Sequence, residues 1–444
     1  MSPDETSADE TRPDETRPDE TRGDDGRADL GVAMVGHGFM GAAHSQAWRT
    51  APAFFDLPLA PRMTAIVGRD ADATRAAAAR WGWQRAESDW RRVVESDDVQ
   101  LVDICSPGAT HVEIAVAALE AGKHVLCEKP LANTVAEAEL MAEAAERAAA
   151  RGVLAMVGFS YRRVPAITFA RDLVARGAIG ELRQVRALYL QDWLVDPEGP
   201  MTWRLDKSVA GSGSLGDIGA HLVDAVQFVT GRALTDVSGL LHTFTTERPL
   251  LGEVRGLGGT ASSERGQVTV DDAALFTAKI AGGALATFEA TRVATGRKNA
   301  LRLEFSGTGG AIAFDLERMN ELEVYDAGAP VDQLGFRRVL VTEPEHPYTG
   351  SWWPTGHGLG YEHAFSHQAR DLVTAIAAGE QPTPSFAEGL QVQRVLDAVE
   401  RSAADGSRWL ATAPPGPTAP PGPGGPTPQP GATATAAATA GATS

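Results

Sequence analysis

The sequence predicts an α/β fold in which a doubly wound parallel sheet is followed by a domain of largely antiparallel sheet with helices on one face. Three observations support this prediction. Up to about residue 158, short apolar runs alternate with helix-length segments, and strands separated by such helices require the crossovers of a parallel sheet. A glycine-rich turn joins the first strand to the first helix. After residue 159, longer runs alternate apolar with polar residues, which is typical of antiparallel strands.

The elements of the first domain follow from these patterns in order. Residues 30–35 form an apolar run that predicts the first strand, and residues 42–50 predict the helix after the turn. Asp70 stands directly before the second helix and is an expected N-cap. The further predicted strands are 63–67, 100–105, 124–127 and 153–157, and the further predicted helices are 71–81, 110–121 and 135–151.

The second domain begins with a predicted helix at 166–175. Alternating segments predict strands at 182–192, 273–280 and 285–292, and the two glycines within residues 281–284 indicate a hairpin between the last two. Helices at 362–377 and 386–403 are expected to close the structure.

Both ends of the chain differ in composition from the core. Residues 1–29 hold 11 acidic residues, four arginines and almost no apolar residues, so they cannot bury enough surface to offset the entropy of ordering. Residues 412–444 carry no charge and nine of the 27 prolines. We therefore expect a disordered acidic tail at 1–29, a dinucleotide-binding domain at 30–158, a substrate-binding and oligomerisation domain at 159–411, and a disordered tail at 412–444.

Composition also excludes several functions. With 40 basic and 58 acidic residues the net charge is −18, which disfavours nucleic acid because phosphate backbones bind basic surfaces. No apolar run between the tails has the length of about 18 to 20 residues that a membrane span requires. The two cysteines, Cys105 and Cys127, lie in apolar runs without metal-ligand spacing. They predict buried thiols, no metal site and a reducing cytoplasm.

The glycine turn predicts a dinucleotide site. Gly36 permits a tight bend, Gly38 lets the backbone approach a pyrophosphate, and Gly41 allows close packing of the helix, whose N-terminus attracts anions. Phe39 and Met40 lie within the same turn and are candidate cofactor contacts. The motif alone is weak, but here it has the strand and helix that it needs.

The choice between NAD and NADP stays open at this stage. The second strand ends in Val67-Gly68-Arg69-Asp70, without the carboxylate at the strand end that would bind the adenosine ribose of NAD. Arg69 could stack on adenine, bind the extra phosphate of NADP, or be a solvated arginine.

Two further motifs contain candidate acid–base groups. Glu128-Lys129-Pro130 ends a strand at the carboxyl edge of the predicted sheet, where ligands bind in such folds. Asp217 and His221 are four residues apart on a predicted helix, so a carboxylate can lie beside an imidazole that titrates near neutrality. Taken singly, each has an ordinary alternative as a surface lysine or an exposed helix pair.

Together these motifs resemble the Gfo/Idh/MocA oxidoreductases, the family of glucose-fructose oxidoreductase and the inositol dehydrogenases. The resemblance covers the whole core and extends to the strings D-I-C-S-P at 103–107, T-H at 110–111 and G-F-S-Y-R-R at 158–163. It implies that Lys129, Asp217 and His221 form the catalytic set. Lys129 and His221 would handle the hydroxyl proton while Asp217 orients them. The implied cofactor contacts, besides the glycine turn, Arg69 and Lys129, are Ser106, Pro107, His111 and Glu128.

The resemblance further implies a cytoplasmic, homo-oligomeric (dimeric or tetrameric) dehydrogenase that uses NAD or NADP and oxidises a secondary hydroxyl of a sugar, anhydrosugar, glycoside or inositol. Two alternatives stay open: glycoside cleavage through transient oxidation, and a sensor of dinucleotide or sugar without catalysis. Apolar and planar faces suit sugar rings and arginines can bind hydroxyl oxygens, although each aromatic candidate could simply be a core residue. The candidate substrate contacts are Tyr161, Arg162, Trp203, Arg204, Arg292 and Tyr361.

Overall fold

Two large sheets and a two-stranded ribbon occur in the part of the chain that the computed structural model describes, residues 26–255 and 258–413. The expected disorder of the two tails concerns residues that lie mostly outside this description. The expected tail boundaries need small corrections. Asp29 already pairs with Ala60 in the first strand, and the Thr412 hydroxyl donates to the carbonyl of Leu234 at 2.7 Å.

The first sheet is parallel throughout and has the strand order β3-β2-β1-β4-β5-β6. This order and pairing confirm the predicted doubly wound Rossmann fold, and the reversal of order between β1 and β4 places a crevice at the carboxyl ends of those strands. Its strands are β1 Asp29–Val35, β2 Ala60–Val67, β3 Arg85–Glu87, β4 Leu101–Ile104, β5 His124–Cys127 and β6 Ala155–Val157; its helices are α1 Phe39–Phe54, α2 Ala71–Trp81, α3 Trp90–Val94, α4 His111–Glu120 and α5 Val135–Ala149.

Helix starts in this domain follow local side-chain chemistry. The Asp70 carboxylate accepts the backbone N–H groups of Asp72 and Ala73, each at 3.0 Å, which confirms the predicted N-cap of α2. Thr134 and Glu137 form a reciprocal capping box at the start of α5. Such caps satisfy N–H groups that have no partner within the helix.

The second sheet has nine strands in the order β16-β15-β14-β13-β7-β12-β11-β8-β17. Only the β7–β12 pair is parallel among these described strands, so the predicted, largely antiparallel sheet is confirmed, as is the hairpin between β11 and β12. Its strands are β7 Leu182–Leu190, β8 Leu234–His242, β11 Ala273–Ile280, β12 Leu285–Thr291, β13 Ala300–Gly307, β14 Gly310–Asp315, β15 Glu321–Asp326, β16 Arg337–Leu340 and β17 Leu410–Ala411.

Helices cover one face of this sheet and connect it to the first. Those that pack on the sheet are α6 Pro165–Ala175, α8 Ala220–Thr230 and α10 Phe386–Ala404, and the others are the short α7 Lys207–Ala210 and α9 Tyr361–Ala378. Helix α10 packs on β8 and on α5, while α9 packs on α1. The predicted closing helices therefore fasten the second half of the chain onto the first. No helix in the described ranges is both long and apolar enough to cross a membrane.

The sequence patterns did not predict the two-stranded ribbon, which consists of β9 Glu247–Arg255 and β10 Gly258–Gln267. Residues 247–267 are rich in glycine, serine and charged residues. Because strand prediction depends on apolar alternation, a segment of this composition leaves no such signal.

Candidate active site

The glycine turn has the geometry that a dinucleotide phosphate requires. Gly36 has φ +105°, and a Cβ atom on Gly41 would lie 2.3 Å from the carbonyl oxygen of Gly36. A Cβ atom on Gly38 would meet no atom within 4 Å, so the space above it is open. Helix α1 starts at Phe39 without a side-chain cap. Its first N–H groups therefore have no side-chain partner at the cap and fit a phosphate.

The end of β2 has no carboxylate aimed at a ribose. Gly68 occupies the strand end, and a Cβ atom there would lie 2.3 Å from the His37 ring. Arg69 is exposed, and the Asp70 carboxylate is engaged in capping α2. The geometry thus leaves open the choice between NAD and NADP that the sequence left open.

His111 ties together the loops that follow β4 and β5. Its Nε2 lies 2.9 Å from the Ser106 carbonyl oxygen, and its Nδ1 lies 3.2 Å from the carbonyl oxygens of Pro130 and Leu131. Pro107 belongs to the loop after β4 and directly precedes a short 3-10 turn. His111 is buried. It therefore holds the two loops at the predicted cofactor crevice together through their backbone carbonyl groups.

Lys129 and Asp217 meet across the two halves of the fold. Lys129 follows β5 and precedes Pro130 in a cis peptide bond. Its Nζ donates to the Asp217 carbonyl oxygen at 2.7 Å and to Asp217 Oδ1 at 3.3 Å. From the end of β12, Arg292 Nη1 donates to Asp217 Oδ2 at 3.4 Å, and Arg292 is fully buried.

Asp217 lies in a π-helical turn, Leu215–Gly219, directly before α8. The sequence predicted a regular helix in which Asp217 lies beside His221. In the structure the Asp217 carboxylate instead binds Lys129 and Arg292. The wider π turn changes the face on which residues four apart meet, and π turns are frequent at functional sites.

The Asp271 carboxylate anchors the loop before this turn. It accepts the N–H groups of Gly213 and Leu215 at 2.8 Å each and the Ser214 hydroxyl at 2.6 Å. A Cβ atom on Gly213 would lie 1.9 Å from the Asp271 carbonyl oxygen. Glycine is therefore required at 213, and the sequence signal for this contact was the glycine–serine run.

His221 is buried, and its Nδ1 has no hydrogen-bond partner among the described residues. Its ring lies between three aromatic rings, with centroid distances of 4.6 Å to Tyr161, 5.9 Å to Phe159 and 6.1 Å to Tyr189. Burial lowers the pKa of His221 well below its usual value, and the Lys129 ammonium lowers it further. The imidazole is therefore neutral near pH 7.

For Asp217, burial and the neighbouring charges shift the pKa in opposite directions. Burial by itself would raise the pKa of Asp217, but the cations of Lys129, Arg292 and Arg204 outweigh it and hold that pKa far below the usual range. Asp217 is therefore a carboxylate at neutral pH. Both groups are therefore unprotonated near pH 7, one as a neutral imidazole and the other as an anion.

A chain of hydrogen bonds runs from the buried aromatic rings to the surface. The Tyr161 and Tyr189 hydroxyls are 2.8 Å apart, and the Tyr189 hydroxyl donates to Asn299 Oδ1 at 2.9 Å. Gln191 Nε2 donates to the same oxygen at 2.8 Å, and Gln191 Oε1 accepts from Trp193 Nε1 at 2.9 Å. Sequence reasoning missed Tyr189 and Asn299. The sequence signal that could have indicated them was the polar residues near the end of an apolar strand.

Other predicted substrate contacts lie near Asp217 and the aromatic rings around His221. The Arg204 guanidinium lies 4.5 Å from the ring of Trp203, which is exposed. Tyr361 begins α9, and its ring centroid is 6.3 Å from that of Tyr161 and 6.2 Å from that of Phe39 in the glycine turn. These contacts connect the glycine turn to the His221 aromatic cluster. Met40 is half-buried in the turn.

The geometry does not favour the predicted substrate contact of Arg162. Its buried guanidinium binds the Asp224 carboxylate through Nε and Nη2 at 2.6 to 3.0 Å, and Nη1 donates to Glu388 at 2.7 Å. Tyr161 and Arg162 lie in one tight 3-10 turn, Ser160–Arg163. Successive side chains in such a turn point in different directions, so only Tyr161 joins the His221 cluster.

One buried polar cluster was not predicted at all. The imidazole of His44, on α1, lies between the carboxylates of Asp103 and Glu128. Cys105 Sγ donates to Asp103 Oδ1 at 3.5 Å. Cys105 was predicted to be a buried thiol without Cys or His partners at metal-ligand spacing, but it is only partly buried. The structure gives it His44 and Asp103 as neighbours within reach of one ion, although no sequence spacing connects them.

Comparisons with known proteins agree with this architecture. Residues 30–159 match the model of an oxidoreductase family with an NAD-binding Rossmann fold, and residues 167–313 match the GFO/IDH/MocA C-terminal domain. Levoglucosan dehydrogenase of Pseudarthrobacter phenanthrenivorans is 42% identical over 379 residues, which cover 83% of this chain and 95% of that protein.

Solved structures show the same similarity. An oxidoreductase domain protein from Kribbella flavida is 62% identical with a TM-score of 0.83, covering 87% of this chain and all of that one. Levoglucosan dehydrogenase in complex with NADH and levoglucosan is 41% identical with a TM-score of 0.81, covering 86% of this chain and 99% of that one. The fold and these similarities establish that this chain belongs to the GFO/IDH/MocA family of oxidoreductases and has an NAD-binding Rossmann domain.

Proposed function

We propose that this oxidoreductase is an NAD(P)-dependent dehydrogenase that oxidises a secondary hydroxyl of a sugar, anhydrosugar, glycoside or inositol. The observation that carries the proposal is the contact of Lys129 with Asp217, beside a neutral imidazole, at the carboxyl edge of the parallel sheet. Oxidation of an alcohol requires removal of the hydroxyl proton together with departure of a hydride. Bound NAD(P) supplies the acceptor of that hydride.

His221 is the residue suited to accept the hydroxyl proton. Its imidazole is neutral, and its Nδ1 lacks a hydrogen-bond partner among the described residues. A neutral imidazole carries a proton on one nitrogen only, so the other can accept one. A positioned general base contributes roughly 10² to 10⁴ in rate.

Lys129 is suited to stabilise the oxygen as negative charge develops. Its ammonium is held by the carbonyl and the carboxylate of Asp217, which fixes the direction of a long, flexible side chain. An ammonium has three donors, so a further N–H is available to a substrate oxygen. Asp217, held as a carboxylate by its cationic neighbours, orients Lys129 and Arg292 and does not accept the proton.

An anhydrosugar is the substrate class that we favour. The curated relative at 42% identity is a levoglucosan dehydrogenase, and its solved complex contains NADH and levoglucosan. In this chain, the aromatic ring of Tyr161 and the Trp203–Arg204 pair offer planar and donor groups of the kind that sugars contact. NAD is correspondingly the cofactor that we favour.

The test is a spectrophotometric assay of reduced nicotinamide with NAD and with NADP across a panel of anhydrosugars, hexoses, glycosides and inositols. We expect turnover of at least one panel member. Lys129→Ala and His221→Ala should each retain NADH binding, measured by fluorescence, while losing about 10² or more in kcat. A near-normal kcat in either variant would remove that residue from the mechanism. Release of an aglycone without net nicotinamide reduction would instead support glycoside cleavage.

We also propose that copies of this chain associate through the open face of the nine-stranded sheet. Leu240 on β8 is the cross-strand partner of Leu275 on β11, so both project from one face, and Leu285 follows on β12 next to Lys279. These leucines are about half exposed (57%, 46% and 56%), and grouped apolar side chains on a surface are typical of interfaces. Sedimentation of the full chain and of Leu275→Glu tests this association, which a monomeric wild type would contradict.

A cytoplasmic location is proposed from the cysteines. Cys105 and Cys127 are both free thiols, as expected in a reducing compartment. Fractionation of the source cells tests it, and recovery of the protein outside the cytoplasm would contradict it.

A further inference from the structure

We propose that His44 is a positioning residue for Lys129, acting through the carboxylate of Glu128. The inference deepens the proposed function, since it rests on the role of Lys129 in the reaction. It concerns a buried histidine that touches neither Lys129 nor Asp217 in the contacts described above. The connection runs through one carboxylate at the end of β5.

His44 lies on the buried face of α1, three residues after Gly41. Its Nδ1 is 2.9 and 3.0 Å from the two oxygens of Asp103 on β4, and its Nε2 is 3.0 Å from Glu128 Oε1. Carboxylates accept hydrogen bonds and do not donate them. Both ring nitrogens therefore need protons, which makes the imidazole a cation between two anions.

These three charged groups can be buried because they are paired with one another. His44, Asp103 and Glu128 are 1%, 0% and 5% exposed. Burial alone would lower the pKa of His44, but the neighbouring Asp103 carboxylate raises it well above the ordinary value. Trp48 Nε1 also donates to Asp103 Oδ2 at 2.7 Å. The imidazolium is thus held from both sides at the carboxyl edge of the sheet.

Glu128 connects His44 to the backbone of Lys129 by hydrogen bonds. Its Oε1 faces His44 while its Oε2 accepts the backbone N–H of Lys129 at 3.2 Å. A Cβ atom on Gly158, which follows the neighbouring strand β6, would lie 2.8 Å from Oε1. Glycine at 158 therefore leaves the room that the carboxylate occupies. The backbone from which the Lys129 side chain departs is fixed by a carboxylate that His44 fixes in turn.

A fixed backbone matters for the position of Lys129 Nζ because the lysine side chain has four rotatable bonds. Lys129 Nζ must reach Asp217, which lies in the second domain. A misplacement of about 1 Å at a reacting centre can reduce the rate by about 10². Loss of His44 would leave Asp103 and Glu128 without their shared cation. Glu128 would then turn toward other donors or water, and the Lys129 backbone would lose its fixed acceptor.

The first test is steady-state kinetics of His44→Gln, which removes the cation and can donate to only one of the two carboxylates. We expect kcat to fall by about 10- to 100-fold, with the KM for the dinucleotide and its fluorescence-measured affinity within about 3-fold of wild type. Ser45→Ala is the matched control. Ser45 is the next residue of α1, equally buried, and accepts from Trp83 Nε1 at 2.9 Å. Its loss should lower stability without lowering kcat.

A double variant separates positioning from general damage and covers the case in which His44→Gln folds poorly. In His44→Gln/Glu128→Gln a neutral amide replaces the buried carboxylate next to Lys129, so the two amides can pair and the chain should fold. If His44 acts through Glu128, the loss of kcat in the double variant should be close to that of Glu128→Gln alone. If the fold-losses of kcat in the two single variants instead multiply in the double variant, His44 acts by another route and the proposal is overturned.

A second readout does not depend on activity. The chain has only five lysines, so ¹³C reductive methylation of the full-length protein gives few NMR signals, and the Lys129 signal is the one absent from Lys129→Arg. In His44→Gln we expect this signal to move toward the position of exposed methylated lysines, while Ser45→Ala leaves it unchanged. An unmoved signal together with an unchanged kcat would refute the proposal. A wild type inactive on every panel substrate would contradict the proposed function, yet the signal would still decide whether His44 positions Lys129.

Discussion

Arg162 was predicted from the sequence to contact substrate, whereas its geometry makes it a structural residue, and Arg162→Met distinguishes the two. Its pair with Asp224 is nearly inaccessible, with side chains 6% and 3% exposed, and includes contacts of 2.6, 2.9 and 3.0 Å. Removing one partner of a buried pair leaves an uncompensated charge and costs about 3 to 5 kcal/mol. The contact with Glu388 adds less, because that carboxylate is 40% exposed.

Reversible urea unfolding followed by tryptophan fluorescence measures this loss. Arg162→Met should lower the free energy of unfolding by about 3 to 5 kcal/mol. Replacing both charges in Arg162→Met/Asp224→Leu should recover most of it, because apolar residues of similar volume replace buried pairs at little cost. Arg186→Met is the matched control. Its pair with Glu304 is 46% and 40% exposed, so the expected loss is about 0 to 1 kcal/mol.

Kinetics of the double variant complete the test. If Arg162 is structural, the KM for the sugar should stay within about 2-fold of wild type once stability is recovered. The structural reasoning would be refuted by an Arg162→Met variant that unfolds like wild type but binds its sugar at least tenfold more weakly.

Three further changes test other parts of the structure. His367 donates from Nδ1 to the Arg163 carbonyl and accepts from Trp352 Nε1, and burial lowers the pKa of His367 to about 3. Because the unfolded chain then binds more protons below about pH 6.5, acidification from pH 7 to 5 should cost about 2 kcal/mol of unfolding free energy through this group. Replacement by Gln should flatten that pH dependence; an unchanged slope would contradict the assignment. Arg69→Ala should lower kcat/KM for NADP and leave that for NAD within about 2-fold, since Arg69 is exposed at the end of β2; equal losses with both cofactors would argue for adenine stacking. Tyr189→Phe should cost about 1 to 3 kcal/mol in urea unfolding by removing a buried hydroxyl bridge, and an unaltered stability would mean that water replaces the bridge.

Local sequence patterns were enough to predict the first sheet, because each strand, turn and helix there has its own signal. The glycine turn predicted the open N-terminus of α1, and Asp70 predicted a cap that the structure confirms. Lys129 could be placed at a strand end for the same reason. Its contact with Asp217 followed only from the resemblance, since 88 residues separate the two.

Features created by long-range packing left weaker signals. The π turn before α8 differs from a regular helix by one residue in hydrogen-bond span, which residue spacing does not encode. His44 was a histidine on the inner face of a helix, and its partners come from two strands 59 and 84 residues away. The pairing could be suspected only from acidic residues at or next to two strand ends, a pattern that also suits solvent-exposed groups.

The charges of the site explain why His221 and Asp217 can have different roles. Lys129 lowers the pKa values of both His221 and Asp217. For an imidazole this shift favours the neutral form, which can accept a proton, whereas for a carboxylate it favours the anion, which can hold cations. One ammonium therefore prepares the proton acceptor and strengthens its own anchor. Both roles depend on where that ammonium lies, which is why the hydrogen bond from the Lys129 backbone N–H to Glu128 matters to the site.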